Sequence, residues 1–137
     1  MPTKKYALII GNGYYHSDAG VKDIPYTLSD ARAVARMLRH PLIGQFNDLD
    51  VTLVLDGPSW LIGRKLEDLF NNKKSDDILL VYFSCHGYKD DQGELFLLSN
   101  NTRRRNLITT SIPVSLIKSL MDKSLSRRQI LILDACF

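Results

Sequence analysis

The sequence predicts an α/β fold with a mainly parallel central sheet that helices cover on both faces. Short apolar runs alternate along the 137 residues with segments whose apolar side chains recur at helical spacing. The strongest run, Asp77–Ser84, is apolar on both faces, which is typical of a central parallel strand. Because strands alternate with helices of about a dozen residues, right-handed crossovers should make neighbouring strands parallel.

The first half of the chain carries two strand–helix units. Tyr6–Gly11 is a continuous apolar run that predicts a buried strand, and Val51–Leu55 predicts a second one. Helices are predicted over Thr27–Arg39 and Ser59–Asn71, because apolar residues recur there every three or four positions and so share one face.

The second half supplies two more core strands and one more helix. Asp77–Ser84 is the third strand, and Glu94–Leu98 is a short extended piece that we expect to form half of a hairpin. Pro113–Lys123 predicts the third helix and Gln129–Leu133 the last central strand. About four core strands therefore make up the predicted sheet.

The composition indicates a single globular domain over residues 1–137. Apolar residues make up 45% and charged residues 24%, which excludes a disordered or fibrous chain. The net charge of +3 is too small to predict a nucleic-acid partner, and the lack of a long apolar run predicts no membrane span. The N-terminus does not resemble a signal peptide, and two cysteines make no disulfide framework, so we expect a cytoplasmic protein.

Candidate catalytic side chains follow two of the predicted strands. His86 and Gly87 come after the third strand, and Asp134 and Cys136 come after the fourth. Sites in parallel sheets form at the carboxyl ends of the strands, and neighbouring strands lie about 4.8 Å apart. If these strands are neighbours, the His86 imidazole can hold the Cys136 sulfur as a thiolate and protonate a leaving amine. The amides of Gly87 and Cys136 would face the same gap and could stabilise an oxyanion.

Each of these residues also has a purely structural interpretation. Single histidines and cysteines are common at strand ends, and Cys136 taken alone is better interpreted as a buried, inert thiol. Cys85 is expected in the core, because adjacent side chains of a strand point to opposite faces. That divergence argues against a zinc site made of Cys85, His86 and Cys136. The Gly11–Gly13 loop hints at phosphate binding but lacks the third glycine of the dinucleotide-binding motif.

The setting of these residues resembles that of the caspase fold. Residue 86 lies 50 positions before residue 136, and the caspase signature places its histidine about 50 residues before its cysteine. Ser84–Gly87 looks like the His-Gly motif that follows a strand in that fold. Asp134–Cys136 is similar to the Asp-x-Cys motif of metacaspases and their bacterial relatives, the orthocaspases, whereas true caspases have glutamine at the aspartate position.

The N-terminal part of the chain resembles the metacaspase type as well. Ala7–Asn12 looks like the first strand of that type, and Leu28–Ala31 resembles its helix start, with Ser29 where asparagine is usual. The resemblance runs over nearly the whole chain and keeps the order of the elements. It identifies the sequence as a caspase-like peptidase of family C14, similar to the large-subunit portion that ends just after the catalytic cysteine.

The resemblance implies a three-layer α-β-α sandwich and a cysteine endopeptidase that needs no cofactor. His86 would be the general base and acid, and Cys136 the nucleophile of an acyl-enzyme mechanism. Gly87 and Cys136 would supply the amides of the oxyanion hole. A protein or peptide would be the substrate. The family also continues beyond the cysteine with a segment that completes the cleft, so we expect a missing C-terminal segment as a partner and an incomplete enzyme without it.

The resemblance also implies which side chain the first substrate pocket (S1) accepts. In metacaspases, acids at the positions of Asp30 and Asp134 line this pocket, and two half-buried carboxylates favour a cationic P1 residue. We therefore predict cleavage after arginine or lysine. The alternative is that Asp30 is only a helix-start acid and that Asp134 only caps a loop.

Two further charged segments have a solvated surface as their simplest interpretation. Asp90, Asp91 and Glu94 follow the histidine, and some metacaspases bind calcium with acidic clusters in this general region, so a calcium site is an unfavoured alternative to no metal. Arg103–Arg105 lies in a polar stretch and predicts a solvated loop. With a basic P1 preference, it is also a candidate self-cleavage site.

Two other functions remain open at this point. A caspase-like module without activity could act as a scaffold or regulator, although the presence of both His86 and Cys136 favours an enzyme. A nucleotide-binding domain of flavodoxin type would use the loop after the first strand, and the incomplete glycine motif disfavours it.

Overall fold

Six strands form one mixed sheet in the computed structural model, which describes residues 3–137. In chain order, the strands are β1 (Lys5–Gly11), β2 (Val51–Leu55), β3 (Ile78–Lys89), β4 (Leu95–Leu98), β5 (Ser111–Pro113) and β6 (Arg128–Cys136). The helices are α1 (Tyr26–Arg39), α2 (Ser59–Phe70), α3 (Leu107–Thr110) and α4 (Val114–Lys123). Short 3₁₀ turns lie at residues 17–19, 48–50 and 104–106.

The parallel part of the sheet has the strand order β2-β1-β3-β6. Beyond this part, the end of β3 turns back into β4, and β5 pairs antiparallel with β4. The central strands β1 and β3 are almost wholly buried, because strands in the middle of a parallel sheet have helices on both faces.

Helices cover the sheet on both faces. One core cluster joins α1 to the β1 side chains Ala7 and Ile9. The opposite cluster joins α2 and α4 to Leu8 and Ile10 of the same strand. Neighbouring residues of β1 thus enter different cores, as the alternation of side chains along a strand requires. The predicted α/β fold is confirmed, and its layers are those of the three-layer sandwich that the resemblance implies.

The predicted elements agree with the observed ones, except at two strand ends and in two short elements. β3 continues five residues past Ser84 to Lys89, because its end pairs with β4 as a hairpin. β6 continues past Leu133 to Cys136, so Asp134 and Cys136 lie within this strand rather than after it. The short elements Leu107–Thr110 and Ser111–Pro113 were not predicted, since three or four residues show no periodicity. No helix within residues 3–137 is both long and apolar enough to cross a membrane.

A glycine at the end of β1 brings the first turn of α1 against the sheet. A β-carbon on Gly11 would lie 2.8 Å from the Ala31 Cβ and 2.9 Å from the Thr27 carbonyl oxygen. Only glycine therefore allows this close packing without a shift of the helix. The consequence is that the start of α1, with Asp30, lies near the carboxyl end of the parallel strands.

Candidate active site

The pairing of β3 with β6 brings the two predicted catalytic residues together. His86 is the register partner of Cys136 on the neighbouring parallel strand. Partners on adjacent strands share a face of the sheet, and their backbones lie about 4.8 Å apart across the sheet. Both residues line a small depression of about 50 Å³, whose other lining residues are Ile24, Tyr26, Thr27, Ser84, Cys85 and Asp134.

Larger surface depressions lie away from these residues. One of about 420 Å³ beside α1 is lined by Arg36, Arg39 and His40 among others, and one of about 290 Å³ by Lys65 and Lys73 among others. Neither contains a nucleophile next to a base. The smaller depression is therefore the better candidate for catalysis, because chemistry depends on which side chains meet rather than on volume.

The His86 ring is held in one tautomer by a backbone oxygen. Its Nε2 lies 2.8 Å from the carbonyl oxygen of Lys22, in the loop between β1 and α1. A carbonyl oxygen can only accept, so Nε2 carries the hydrogen, and in the neutral ring Nδ1 is the basic nitrogen. This arrangement prepares Nδ1 as the proton acceptor. Sequence reasoning missed Lys22, because a backbone carbonyl gives no side-chain signal.

Tyr15 also contacts His86, and the sequence analysis did not select it. Its ring centroid lies 5.2 Å from that of His86, and its hydroxyl accepts a hydrogen bond of 2.9 Å from the His86 amide. A signal was present, because Tyr15 follows β1 closely, at the same sheet edge as the other candidates.

The two cysteines have opposite environments. Cys136 is exposed, whereas Cys85 is buried in the core on the opposite face of β3, as predicted. Burial raises the pKa of Cys85 from its ordinary value of 9.0 to about 12, which keeps it a protonated thiol at neutral pH. Of the two cysteines, Cys136 is therefore the accessible thiol.

The space in front of Gly87 is filled by an aromatic side chain. A β-carbon built on Gly87 would collide with the ring of Phe137. The Phe137 ring therefore occupies the space that the missing side chain of Gly87 leaves. The role of the Gly87 amide in an oxyanion hole stays a prediction, which requires that this ring move.

The two predicted S1 acids lie near one tyrosine. The Tyr82 hydroxyl donates a hydrogen bond of 3.2 Å to the Asp134 carboxylate. Burial raises the pKa of Tyr82, and the charges of Asp134 and Asp30 raise it further. Asp134 lines the depression, and Asp30 is half-buried on α1 outside its lining. Both carboxylates thus raise the pKa of the same tyrosine, which lies on the α1 face of the sheet.

The loop after β1 does not form a phosphate site. The amides of Gly13 and Tyr14 both donate to one carboxylate oxygen of Asp56, at 2.8 Å and 3.1 Å. A phosphate would need the amides that this carboxylate already occupies. The nucleotide-binding alternative therefore loses the feature on which it rested.

The acidic residues after the histidine close the β3–β4 turn. Asp90 accepts hydrogen bonds from the amides of Gln92 and Glu94, and the Ser115 hydroxyl donates to Glu94 at 2.6 Å. Within residues 3–137, no three His, Cys, Asp or Glu side chains converge as metal ligands would. The acids at residues 90, 91 and 94 are thus not gathered as a set of metal ligands, and the lack of a cofactor stays a prediction.

The arginine triplet is exposed, and two of its members contact the loop between β1 and α1. Arg103 forms an ion pair of 2.9 Å with Asp18. Arg104 donates through Nε to the Ala19 carbonyl and lies 4.4 Å from the centre of the Tyr88 ring. The predicted solvated loop thus contains a 3₁₀ turn at residues 104–106. Arg103 and Arg104 contact the loop between β1 and α1, which also carries Lys22.

A search of curated proteins finds no match. A comparison with protein-family models does find one. Residues 4–137 match the family model of the caspase domain of peptidase family C14, so the chain belongs to the caspase-domain family of peptidases.

Proposed function

We propose that the protein is a cysteine endopeptidase in which His86 and Cys136 form the catalytic dyad. The observation that carries the proposal is the β3–β6 register, which pairs these two residues at the carboxyl end of neighbouring parallel strands. The Lys22 carbonyl supports it, because it leaves Nδ1 of His86 as the base. Membership in a peptidase family makes protein the substrate class.

The reaction proceeds in two stages through an acyl-enzyme. Nδ1 of His86 takes the proton of the Cys136 thiol, and the thiolate attacks the scissile carbonyl carbon to form a C–S bond. The tetrahedral oxyanion is stabilised by the amides of Gly87 and Cys136 once the Phe137 ring has moved. The imidazolium then protonates the amine as the C–N bond breaks. Water, deprotonated by His86, cleaves the thioester and regenerates the thiol.

The site is of metacaspase type in its predicted specificity. A cationic P1 side chain would bind Asp134, whose carboxylate the Tyr82 hydroxyl orients, with Asp30 adding to the negative charge. The observed depression of about 50 Å³ must widen to take an arginine side chain. Arginine and lysine are therefore the favoured P1 residues, and aspartate is disfavoured by like charge.

This chemistry requires Cys136 as a free thiol. Both cysteines are free and lie on different faces of β3 and β6. A reducing compartment keeps an exposed thiol in that state, so we propose a cytoplasmic location.

The test is the hydrolysis of matched fluorogenic peptides that end in arginine, lysine or aspartate. We expect turnover of the basic peptides, which Cys136→Ala abolishes while Cys85→Ala retains it. Asp134→Asn should lower kcat/KM for arginine peptides about 10- to 100-fold, the worth of a charge-assisted hydrogen bond. Activity that survives Cys136→Ala contradicts the dyad, and a preference for aspartate contradicts the S1 assignment. Turnover of no peptide would favour an inactive caspase-like module.

A further inference from the structure

We propose that Tyr15 is a positioning residue of this site. Tyr15 holds both His86 and the loop that orients the His86 imidazole. The inference rests on the proposed function and deepens it. Tyr15 lies in the loop between β1 and α1, and its side chain and its backbone amide make separate contacts that lead to opposite sides of His86.

The side chain of Tyr15 fixes the backbone at His86. Its hydroxyl accepts from the His86 amide at 2.9 Å and donates to the Asn12 carbonyl at 2.6 Å. The hydroxyl therefore bridges the end of β1 to the end of β3. The ring lies against the imidazole at a tilt of 58°, which restricts how the imidazole can turn.

The bridge needs a hydroxyl that both donates and accepts. Phenylalanine keeps the ring but leaves the half-buried amide of His86 and the carbonyl of Asn12 without this partner. Burial raises the pKa of Tyr15, so that the hydroxyl keeps its proton, and with it its donor role, at all pH values where the enzyme would work.

The backbone amide of Tyr15 fixes the other side of the imidazole. It donates to the Asp23 carboxylate at 2.9 Å, and Asp23 follows Lys22, whose carbonyl accepts from Nε2 of His86. The loop thus folds back on itself around Tyr15. Movement of Tyr15 would displace both the amide side and the Nε2 side of His86.

The experiment compares Tyr15→Phe with the matched control Tyr14→Phe in the full-length protein. Tyr14 is the neighbouring tyrosine, and its exposed side chain makes none of these contacts. For Tyr15→Phe we expect kcat to fall about 10- to 100-fold with KM within about twofold, as for a small misplacement of a catalytic group. Tyr14→Phe should change neither constant.

A second measurement follows the thiol itself and does not require turnover. Iodoacetamide should alkylate Cys136, while buried Cys85 stays unmodified. In the unchanged protein, pairing with His86 should make alkylation of Cys136 at neutral pH faster than in His86→Ala. Tyr15→Phe should lower this rate toward that of His86→Ala, and so should Asp23→Ala, which releases the loop without touching the tyrosine ring.

These outcomes separate positioning from folding and from the peptidase assignment. An unchanged alkylation rate in folded Tyr15→Phe overturns the proposal, as does a loss of kcat that only matches a loss of folded protein. If Tyr15→Phe does not fold, Asp23→Ala decides by the same rate. A protein that cleaves no peptide but shows the lowered alkylation rate in Tyr15→Phe would retain the positioning role and lose the peptidase role.

Discussion

The two strands that carry the proposed dyad differ in how firmly the rest of the molecule holds them. β3 is buried from Leu79 to Cys85, and its His86 contacts Lys22 and Tyr15. In β6, exposed and half-buried residues alternate from end to end, and β3 is its only partner strand within residues 3–137. The comparison indicates that the proposed base, His86, is held by several contacts, whereas the proposed nucleophile, Cys136, is placed by strand register alone.

The largest effect on peptide hydrolysis should come from removing the His86 side chain. His86→Ala removes the base and the acid, so we expect kcat/KM to fall at least about 10³-fold. His40→Ala is the matched control, because His40 is exposed at the end of α1 and should have no effect. Peptide hydrolysis measures both. A loss below about tenfold for His86→Ala would show that Cys136 does not depend on the histidine side of the site.

The same contrast should appear in stability. Leu79→Ala in β3 empties a fully buried site and should lower the free energy of unfolding by about 2–5 kcal/mol. Ile132→Ala in β6 removes a side chain that is 43% exposed, and should cost less than about 1.5 kcal/mol. Urea unfolding of the two variants measures both values. Equal costs would contradict the claim that β6 is the loosely held strand.

Alkaline pH should lower the free energy of unfolding through the buried cysteine of β3. Burial raises the pKa of Cys85 from 9.0 to about 12, so above pH 9 the unfolded chain loses this proton while the folded chain keeps it. The stabilisation is complete below pH 9 and is lost as pH rises through 12. Unfolding free energies measured from pH 8 to 11 should therefore fall, and the fall should be shallower in Cys85→Ala. An identical slope in Cys85→Ala would contradict the assignment.

The sequence was a good guide to the strands and a poorer guide to the contacts between them. Continuous apolar runs predicted β1 and β3. The rule that sites form at the carboxyl ends of parallel strands predicted that His86 and Cys136 lie at the same edge of the sheet, and the register pairs them. The Lys22 carbonyl could not be predicted, because it depends on how a loop of irregular backbone folds back on the sheet. Phe137 was missed for a similar reason, since only the three-dimensional structure brings its ring against Gly87.

The smallest effect should come from the arginines that brace this loop from outside. The Arg103–Asp18 pair is about half exposed on both sides, with relative exposures of 46% and 52%. Solvent screens such a pair, so Arg103→Ala should cost less than about 1 kcal/mol of stability. Because Tyr15 and Asp23 hold the loop from inside, kcat should stay within about twofold. The measurement is kcat for peptide hydrolysis at both low and high salt. A tenfold loss of kcat would show that the loop depends on its outer contacts. His86 would then be held less firmly than its hydrogen bond to the Lys22 carbonyl indicates.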